Sequence, residues 1–370
     1  MHSAGGDPIV PDYAGPCVRG IVPALLGPAP TVPHWMPSEL DDADAVVLFV
    51  LDGLGWNQLR DREHVAPTLA SMPGRAIHTV APTTTATALT SISTGLTPGE
   101  HGLVGYRMAV GGDVLNVLRW SVGDQQVRRS HPPRSLQTFE PFLGETVPVV
   151  AQGELQNSAF SEAHLRGCDP VGWRAASSIA VEAAAQIRAG ERFVYCYYPG
   201  VDKIAHERGF GPYYDAELAA SDRLVADLLD AVPTGTVVLV TADHGQVHVA
   251  DRIIDPAAEL LRPVTLQSGE GRFRWWHCAS ADVDALADAA RDAHGDVAWV
   301  VTREQTLDEA WFGPVVPPPI RSRLGDVALV AHEPVSFHED ADSGPFELVC
   351  RHGSLTSDEV DVPLLHAVAA

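Results

Sequence analysis

The sequence has almost no lysine. Of its 25 basic residues, 24 are arginine and one is Lys203. Asparagine is scarce too, with only Asn57, Asn116 and Asn157. Scarce Lys and Asn beside abundant Ala, Gly, Pro and Arg suggest a GC-rich, bacterial coding sequence, a bias with no direct functional meaning. Long hydrophobic runs are missing too. Ala45 to Leu51 is among the longest, far short of the roughly 20 residues that span a bilayer. Positive charge is in deficit, with 48 Asp+Glu against 25 Lys+Arg and a formal net charge of −23. That excess of acid argues against long nucleic acids and anionic membranes as partners. The five cysteines (Cys17, Cys168, Cys196, Cys278, Cys350) are scattered, odd in number and form no C-x-x-C. Free thiols in a reducing cytoplasm are expected. Met1 to Gly15 holds no basic segment followed by an apolar one, so no secretory leader is expected.

What is present points to a large buried core. The 370 residues are 45% hydrophobic and 20% charged, enough for one large α/β domain with an insertion or for two domains. Ala45 to Leu51 (AVVLFVL), Phe193 to Tyr198 (FVYCYY) and Thr236 to Thr241 (TVVLVT) are continuous apolar runs typical of buried parallel strands. Helical patterns lie between them at Ser178 to Ala189 and Tyr214 to Ala231. The alternation predicts an α/β fold with a doubly wound, mostly parallel sheet flanked by helices. Residues 1–44 are rich in Pro and Gly and read as an irregular arm with a short helix near Ile21 to Leu26. Two apolar stretches flank Gly111-Gly112 between Met108 and Trp120, the pattern of a hairpin. From 256 to 325 the chain reads strand, helix, strand and then a Pro-rich stretch, a small inserted α+β cap. The main domain is expected to comprise 45–255 and 326–370.

Each of the three strongest strands ends in a carboxylate within a few positions. These are Asp52 in L-D-G-L-G, Asp202 in Y-Y-P-G-V-D-K-I-A-H, and Asp243 in V-T-A-D-H-G. In open α/β sheets the carboxyl ends of the strands form the ligand crevice, so the strands deliver these acids to one edge. His206 stands four residues after Asp202, His244 follows Asp243, and His352 occurs in R-H-G-S-L. Three carboxylates and three imidazoles suit Zn²⁺ or another first-row divalent ion. Six ligands exceed one tetrahedral ion and fit two ions about 4 Å apart, the arrangement of metal-assisted phosphoryl transfer. Thr83, Thr84 and Thr85 follow Pro82 and precede a helix from about Ala86 to Ser93 ending near Gly95. A threonine hydroxyl at a helix N-terminus sits in a field that favours its alkoxide, which makes this segment the candidate nucleophile. The commoner role for such threonines is an N-cap.

The ordered set of motifs resembles the alkaline phosphatase superfamily, nearest to its type I phosphodiesterase/nucleotide pyrophosphatase group. The motifs are Asp52-Gly53, Thr94 to Gly102 (T-G-x-x-P-x-x-H-G), Asp202 to Gly209, Asp243 to Gly245 and His352-Gly353. The resemblance implies two metals, zinc foremost with Mn or Fe as alternatives. Asp202, His206 and His352 would hold one. Asp52, Asp243, His244 and the nucleophile would hold the other. Counting ten residues back from Gly95 gives Thr85 as the nucleophile, with Thr84 as the register alternative. The implied activity is cleavage of phosphodiester or nucleotide pyrophosphate bonds through a phospho-threonine, with phosphomonoester or phosphonate hydrolysis as the alternative and a non-catalytic metal-binding protein as the remote one. The expected ligand is a small phosphorylated molecule such as a nucleotide. One departure is Ala88, where the diesterase group usually has Asn. Lys203, the one lysine retained beside a metal ligand, and Tyr106, after the P-x-x-H-G turn, are expected to contact substrate.

Overall fold

The computed structural model describes residues 6–28, 32–342 and 347–370. Residues 1–5 and 29–31 of the expected arm lie outside that set.

The longer strands are β1 (Ala45–Leu51), β2 (Gly74–His78), β3 (Pro148–Gln152), β4 (Asp169–Trp173), β5 (Phe193–Tyr198), β6 (Thr236–Thr241), β7 (Leu266–Glu270), β8 (Phe273–His277), β9 (Ala298–Thr302), β10 (Val327–Ala331) and β11 (Asp361–Val368). The longer helices are α1 (Thr85–Thr94), α2 (Ile179–Arg188), α3 (Gly200–Arg208), α4 (Pro212–Ala231) and α5 (Val283–His294). The main sheet has the order β2-β11-β6-β1-β5-β3-β4. Strands β6, β1, β5, β3 and β4 run parallel, while β11 is antiparallel to both its neighbours.

The central strands form where the sequence is apolar without alternation, because helices cover both faces. All of β6 is buried, as is all of β1 except half-buried Val46. Val47 pairs with Val238 on one side and Val194 on the other. Each such side chain contributes about 1.5–3 kcal/mol by leaving water. The arm is part of this core: Cys17, Val18, Ile21 and Val22 are fully buried. The expected hairpin is present as Arg107–Val110 paired with Asp113–Asn116, and Gly111 and Gly112 supply the two positive φ values of its turn.

A second sheet, β7-β8-β10-β9, carries α5 and a small core of its own around Trp276, Leu286 and Phe337. It extends further than the pattern suggests. The sequence places the end of the insertion at 325, but β10 pairs with β8 and β9. Ser336–Phe337 also pairs with Ile253–Ile254. The chain re-enters the main sheet only at β11. An apolar run such as VALVA fits either sheet equally well, so composition alone could not assign it.

Candidate active site

The carboxyl ends of β1, β5 and β6 bring the three acids together, and backbone bonds lock them in place. Asp202 N–H donates to the Asp52 carbonyl at 3.0 Å. Gly53 N–H donates to Asp243 Oδ1, also at 3.0 Å. Gly53 has φ +74, and a Cβ there would sit 2.9 Å from Asp202 Cα. Only glycine admits this close crossing of two loaded loops. Asp202 lies in the first turn of α3 with His206 one turn later on the same face. Their side chains meet at 3.2 Å.

The three histidines are preset by carbonyls. Nδ1 of His206 lies 2.7 Å from the Cys350 carbonyl, that of His244 3.0 Å from the Gly245 carbonyl, and that of His352 2.7 Å from the Thr83 carbonyl. A carbonyl oxygen only accepts, so each Nδ1 carries the hydrogen and each Nε2 turns a lone pair inward. The rings of His244 and His352 stack at 3.6 Å. Nε2 of His352 stands 3.2 Å from Nε2 of His206 and 3.9 Å from Asp202 Oδ1. Nε2 of His244 stands 3.5 Å from both Asp52 Oδ1 and Asp243 Oδ2. These two buried carboxylate oxygens have no hydrogen-bond partner. Imidazole nitrogens and two orphaned carboxylate oxygens thus converge in one buried volume. That is the chemistry of cation ligands, and the residues fit two divalent ions. Asp52, Asp243 and His244 form one compact cluster, and Asp202, His244 and His352 form another. His206 closes on the second through Asp202 and His352.

Electrostatics agree. Burial, then Asp243 and Asp202, hold the Asp52 carboxyl well above its ordinary range. Burial likewise raises Asp243, against the pull of His244. Burial alone would raise Asp202, but His206, His352 and His244 together take it below its ordinary range. Burial, then His244 and His206, push His352 well below the usual imidazole value.

Thr85 is the first residue of α1, after Thr84 in the N-cap position. Its Oγ1 lies 3.1 Å from His244 Nε2. Thr83 has a loop role: its hydroxyl donates to the Ser354 carbonyl at 3.0 Å and accepts from Gly353 N–H at 2.9 Å.

The profile of the type I phosphodiesterase / nucleotide pyrophosphatase family matches residues 46–355. The chain belongs to this family. No curated protein matches it in sequence. Among solved structures, human ectonucleotide pyrophosphatase/phosphodiesterase 5 superposes with TM-score 0.67 at 15% identity over 87% of each chain. Its murine counterpart, an inactive Thr-to-Ala variant in complex with AMP, gives TM-score 0.66 at 14% identity over 86% of this chain and 87% of that one. Phosphonoacetate hydrolase from Sinorhizobium meliloti 1021, in complex with phosphonoacetate, gives 0.62 at 17% identity over 88% and 90%. The fold is therefore alkaline phosphatase-like, and the chain is a hydrolytic enzyme of the phosphodiesterase/pyrophosphatase group. The family generally uses divalent metals, which the clusters here accommodate.

Several members of this family site carry no readable signal in the sequence. The Tyr197 hydroxyl donates to Asp52 Oδ2. Gln246 Nε2 donates to Asp202 Oδ1 at 2.5 Å, and Gln58 Nε2 donates to the Gln246 carbonyl at 2.7 Å. Such partners orient ligands, and losing one typically costs 10- to 100-fold in metal affinity. Tyr197→Phe is expected to weaken metal binding by about that factor, read by titrating metal-free protein with Zn²⁺. Wild-type affinity would remove Tyr197 from the site. Lys203 is exposed, and its Nζ lies 3.4 Å from Gln152 Oε1. The Tyr106 hydroxyl accepts from Asn116 Nδ2 at 2.7 Å. Ala88 is fully buried. Among the described residues no helix is long and apolar enough to cross a membrane.

His101, in the P-x-x-H-G turn, is structural. Its Nδ1 accepts Leu103 N–H at 3.1 Å, and its Nε2 lies 2.9 Å from Ser91 Oγ. Burial, then Arg323, push its pKa down to about 3. The unfolded chain takes up a proton near 6.5, and the folded one does so only near that lower value. His101 therefore favours the folded state fully above pH 6.5, and the benefit is lost as pH falls toward 3, by at most about 1.4 kcal/mol per pH unit. His101→Gln is expected to narrow its deficit in Tm against wild type between pH 7 and pH 5. A constant difference would show that His101 is not buried neutral.

Proposed function

We propose that this enzyme cleaves phosphodiester or nucleotide pyrophosphate bonds of a small phosphorylated substrate through Thr85. The observation that carries the reading is Thr85 Oγ1 at 3.1 Å from Nε2 of His244, the residue shared by both ligand clusters. Asp202, His206 and His352 would hold one divalent ion. Asp52, Asp243 and His244, with Thr85, would hold the other. Zinc is the first choice for these donors, and Mn or Fe also fits them.

Bound metals supply Lewis-acid charge to the phosphoryl oxygens and lower the pKa of the threonine hydroxyl. Thr85 loses its proton to solvent, and the N-terminal field of α1 favours the alkoxide. Its oxygen attacks phosphorus in line. The Oγ–P bond forms as the bond to the leaving oxygen breaks, and that oxygen takes a proton from water. Water then attacks the phospho-threonine, releasing phosphate or a monoester and restoring the hydroxyl. The Tyr106 hydroxyl, which accepts from Asn116 Nδ2, is assigned a substrate contact through its O–H. Lys203 is assigned an outer role toward a substrate anion, since its ammonium lies at the surface beside Gln152. Five unpaired thiols, three of them buried, support a reducing compartment.

Phosphonate hydrolysis is the second reading, favoured by the likeness to phosphonoacetate hydrolase over 88% of the chain. The metal-loaded protein assayed on bis-p-nitrophenyl phosphate, p-nitrophenyl phosphate and phosphonoacetate separates the two. Preference for the diester supports the proposal. Preference for phosphonoacetate establishes the second reading. Turnover of none of them overturns both.

A further inference from the structure

The second sheet meets the catalytic edge through the tip of the β7–β8 hairpin, where Arg272 is fully buried. Every N–H of its guanidinium is used. Nε and Nη2 fork onto the Glu359 carboxylate at 2.7 and 2.8 Å. Nη1 donates to the carbonyls of Glu333 and Val335 at 2.9 Å each, and Nη2 also reaches the Ala331 carbonyl at 3.2 Å. A bidentate pair of this kind is geometrically strict. An apolar pair of similar volume is often as stable or more so, so stability does not account for the charges.

Glu359 is buried as completely, in the short helix Ser357–Val360. It holds two histidine loops at once. Its Oε1 accepts Ser354 N–H at 2.9 Å, two residues after His352, and its Oε2 accepts the Thr356 hydroxyl at 2.6 Å. Its backbone carbonyl accepts Gly245 N–H at 3.0 Å, one residue after His244. The approach at Gly245 is tight: a Cβ there would lie 2.0 Å from the Asp358 carbonyl oxygen, so glycine is required. Gln58 spans the same seam, with Nε2 donating to the Asp358 carbonyl at 3.1 Å and to the Gln246 carbonyl at 2.7 Å. Ser354 is fastened to the second sheet as well, its hydroxyl donating to the Ala331 carbonyl at 2.6 Å. The two imidazoles whose loops meet on Glu359 are the stacked pair, 3.6 Å apart and 13° from parallel.

Resting on the reading of His244 and His352 as metal ligands, we propose that Glu359, clamped by Arg272, is a positioning residue that holds the His244 and His352 loops in register, so that the second sheet sets the ligand geometry of the metal site. Glu359 acts through two backbone N–H groups. The bond from Gly245 ends on its main chain, and the bond from Ser354 ends on its carboxylate. A side-chain substitution therefore releases the His352 loop and leaves the His244 loop attached.

The test titrates full-length, metal-free protein with Zn²⁺, follows both binding steps by calorimetry, and records Tm of the metal-free form. Two double variants remove the ion pair. Arg272→Met/Glu359→Leu also removes the acceptor for Ser354, whereas Arg272→Met/Glu359→Gln keeps an amide oxygen for it. The first is expected to weaken one Zn²⁺ step about 10- to 100-fold, with the metal-free Tm equal to wild type or higher. The second retains most of the affinity. On a His352→Ala background the first double variant causes no further loss, because the histidine it positions is gone. Wild-type affinity in the first double variant overturns the inference. So does an equal loss in both, a loss matched by a fall in the metal-free Tm, or an undiminished loss on the His352→Ala background. If His352→Ala alone leaves both steps at wild-type strength, the reading of His352 as a ligand fails instead.

Discussion

Thr85→Ala is expected to lower turnover by at least about 10³-fold while the protein stays folded and loaded with metal. The hydroxyl meets the ligand cluster at 3.1 Å from His244 Nε2. Its removal leaves only water as nucleophile, without the positioning that the helix terminus provides. Thr85→Ser keeps a hydroxyl in place and should recover a large part of the rate. Thr84→Val, by contrast, should fall far less than Thr85→Ala, which settles the register between the two threonines. Acid-quenched enzyme should carry phosphate on a peptide containing Thr85. If Thr85→Ala retains more than about a tenth of wild-type turnover with its metal bound, the covalent route is wrong.

Stripping the metals with a chelator is expected to abolish activity and lower Tm by several degrees, both restored by Zn²⁺ or Mn²⁺. An ion held at a thousand times its Kd stabilises by about 4 kcal/mol. With 370 residues and about 2.1 cal/mol/K of unfolding entropy per residue, that is a shift of roughly 1–2 °C per kcal/mol. The metal-free protein must also bury Asp52 and Asp243 beside Asp202. Burial raises both Asp52 and Asp243, so the folded metal-free protein binds protons more tightly than the unfolded chain. Its stability therefore falls as pH rises above the ordinary carboxylate range. Cations replace those protons, so the gain in Tm on adding metal should grow with pH. A pH-independent gain would mean that these acids are not the ligands. No gain and no loss of activity would leave the clusters without a metal role.

The largest elements were legible for one reason. β1, β5 and β6 occupy the bounds that their apolar runs suggest, because strands buried on both faces must be apolar throughout. Gly111-Gly112 announced its hairpin because the turn needs positive φ at both positions. β3 (PVVAQ) and β4 (DPVGW) escaped notice. They are short, interrupted by Pro or Gly and carried by their neighbours in the sheet. β10 was visible as an apolar run, but its sheet was not. Partner choice belongs to the whole chain.

The site divides in the same way. Sequence alone placed Asp52, Asp202 and Asp243 at strand ends, set His206 four residues from Asp202, and put a threonine at a helix start. Local periodicity and the rule for sheet edges suffice for that. Only the tertiary structure decided which threonine meets His244. It also decided that each imidazole is turned by a backbone carbonyl and that Tyr197 serves Asp52. Each of these depends on contacts between residues far apart in the chain, up to 269 positions for His352 and Thr83. Such contacts form through packing, and no local pattern records them. Lys203 shows the limit from the other side: its singularity could be counted in the sequence, while its direction, toward Gln152 at the surface, was set by how α3 lies on the sheet.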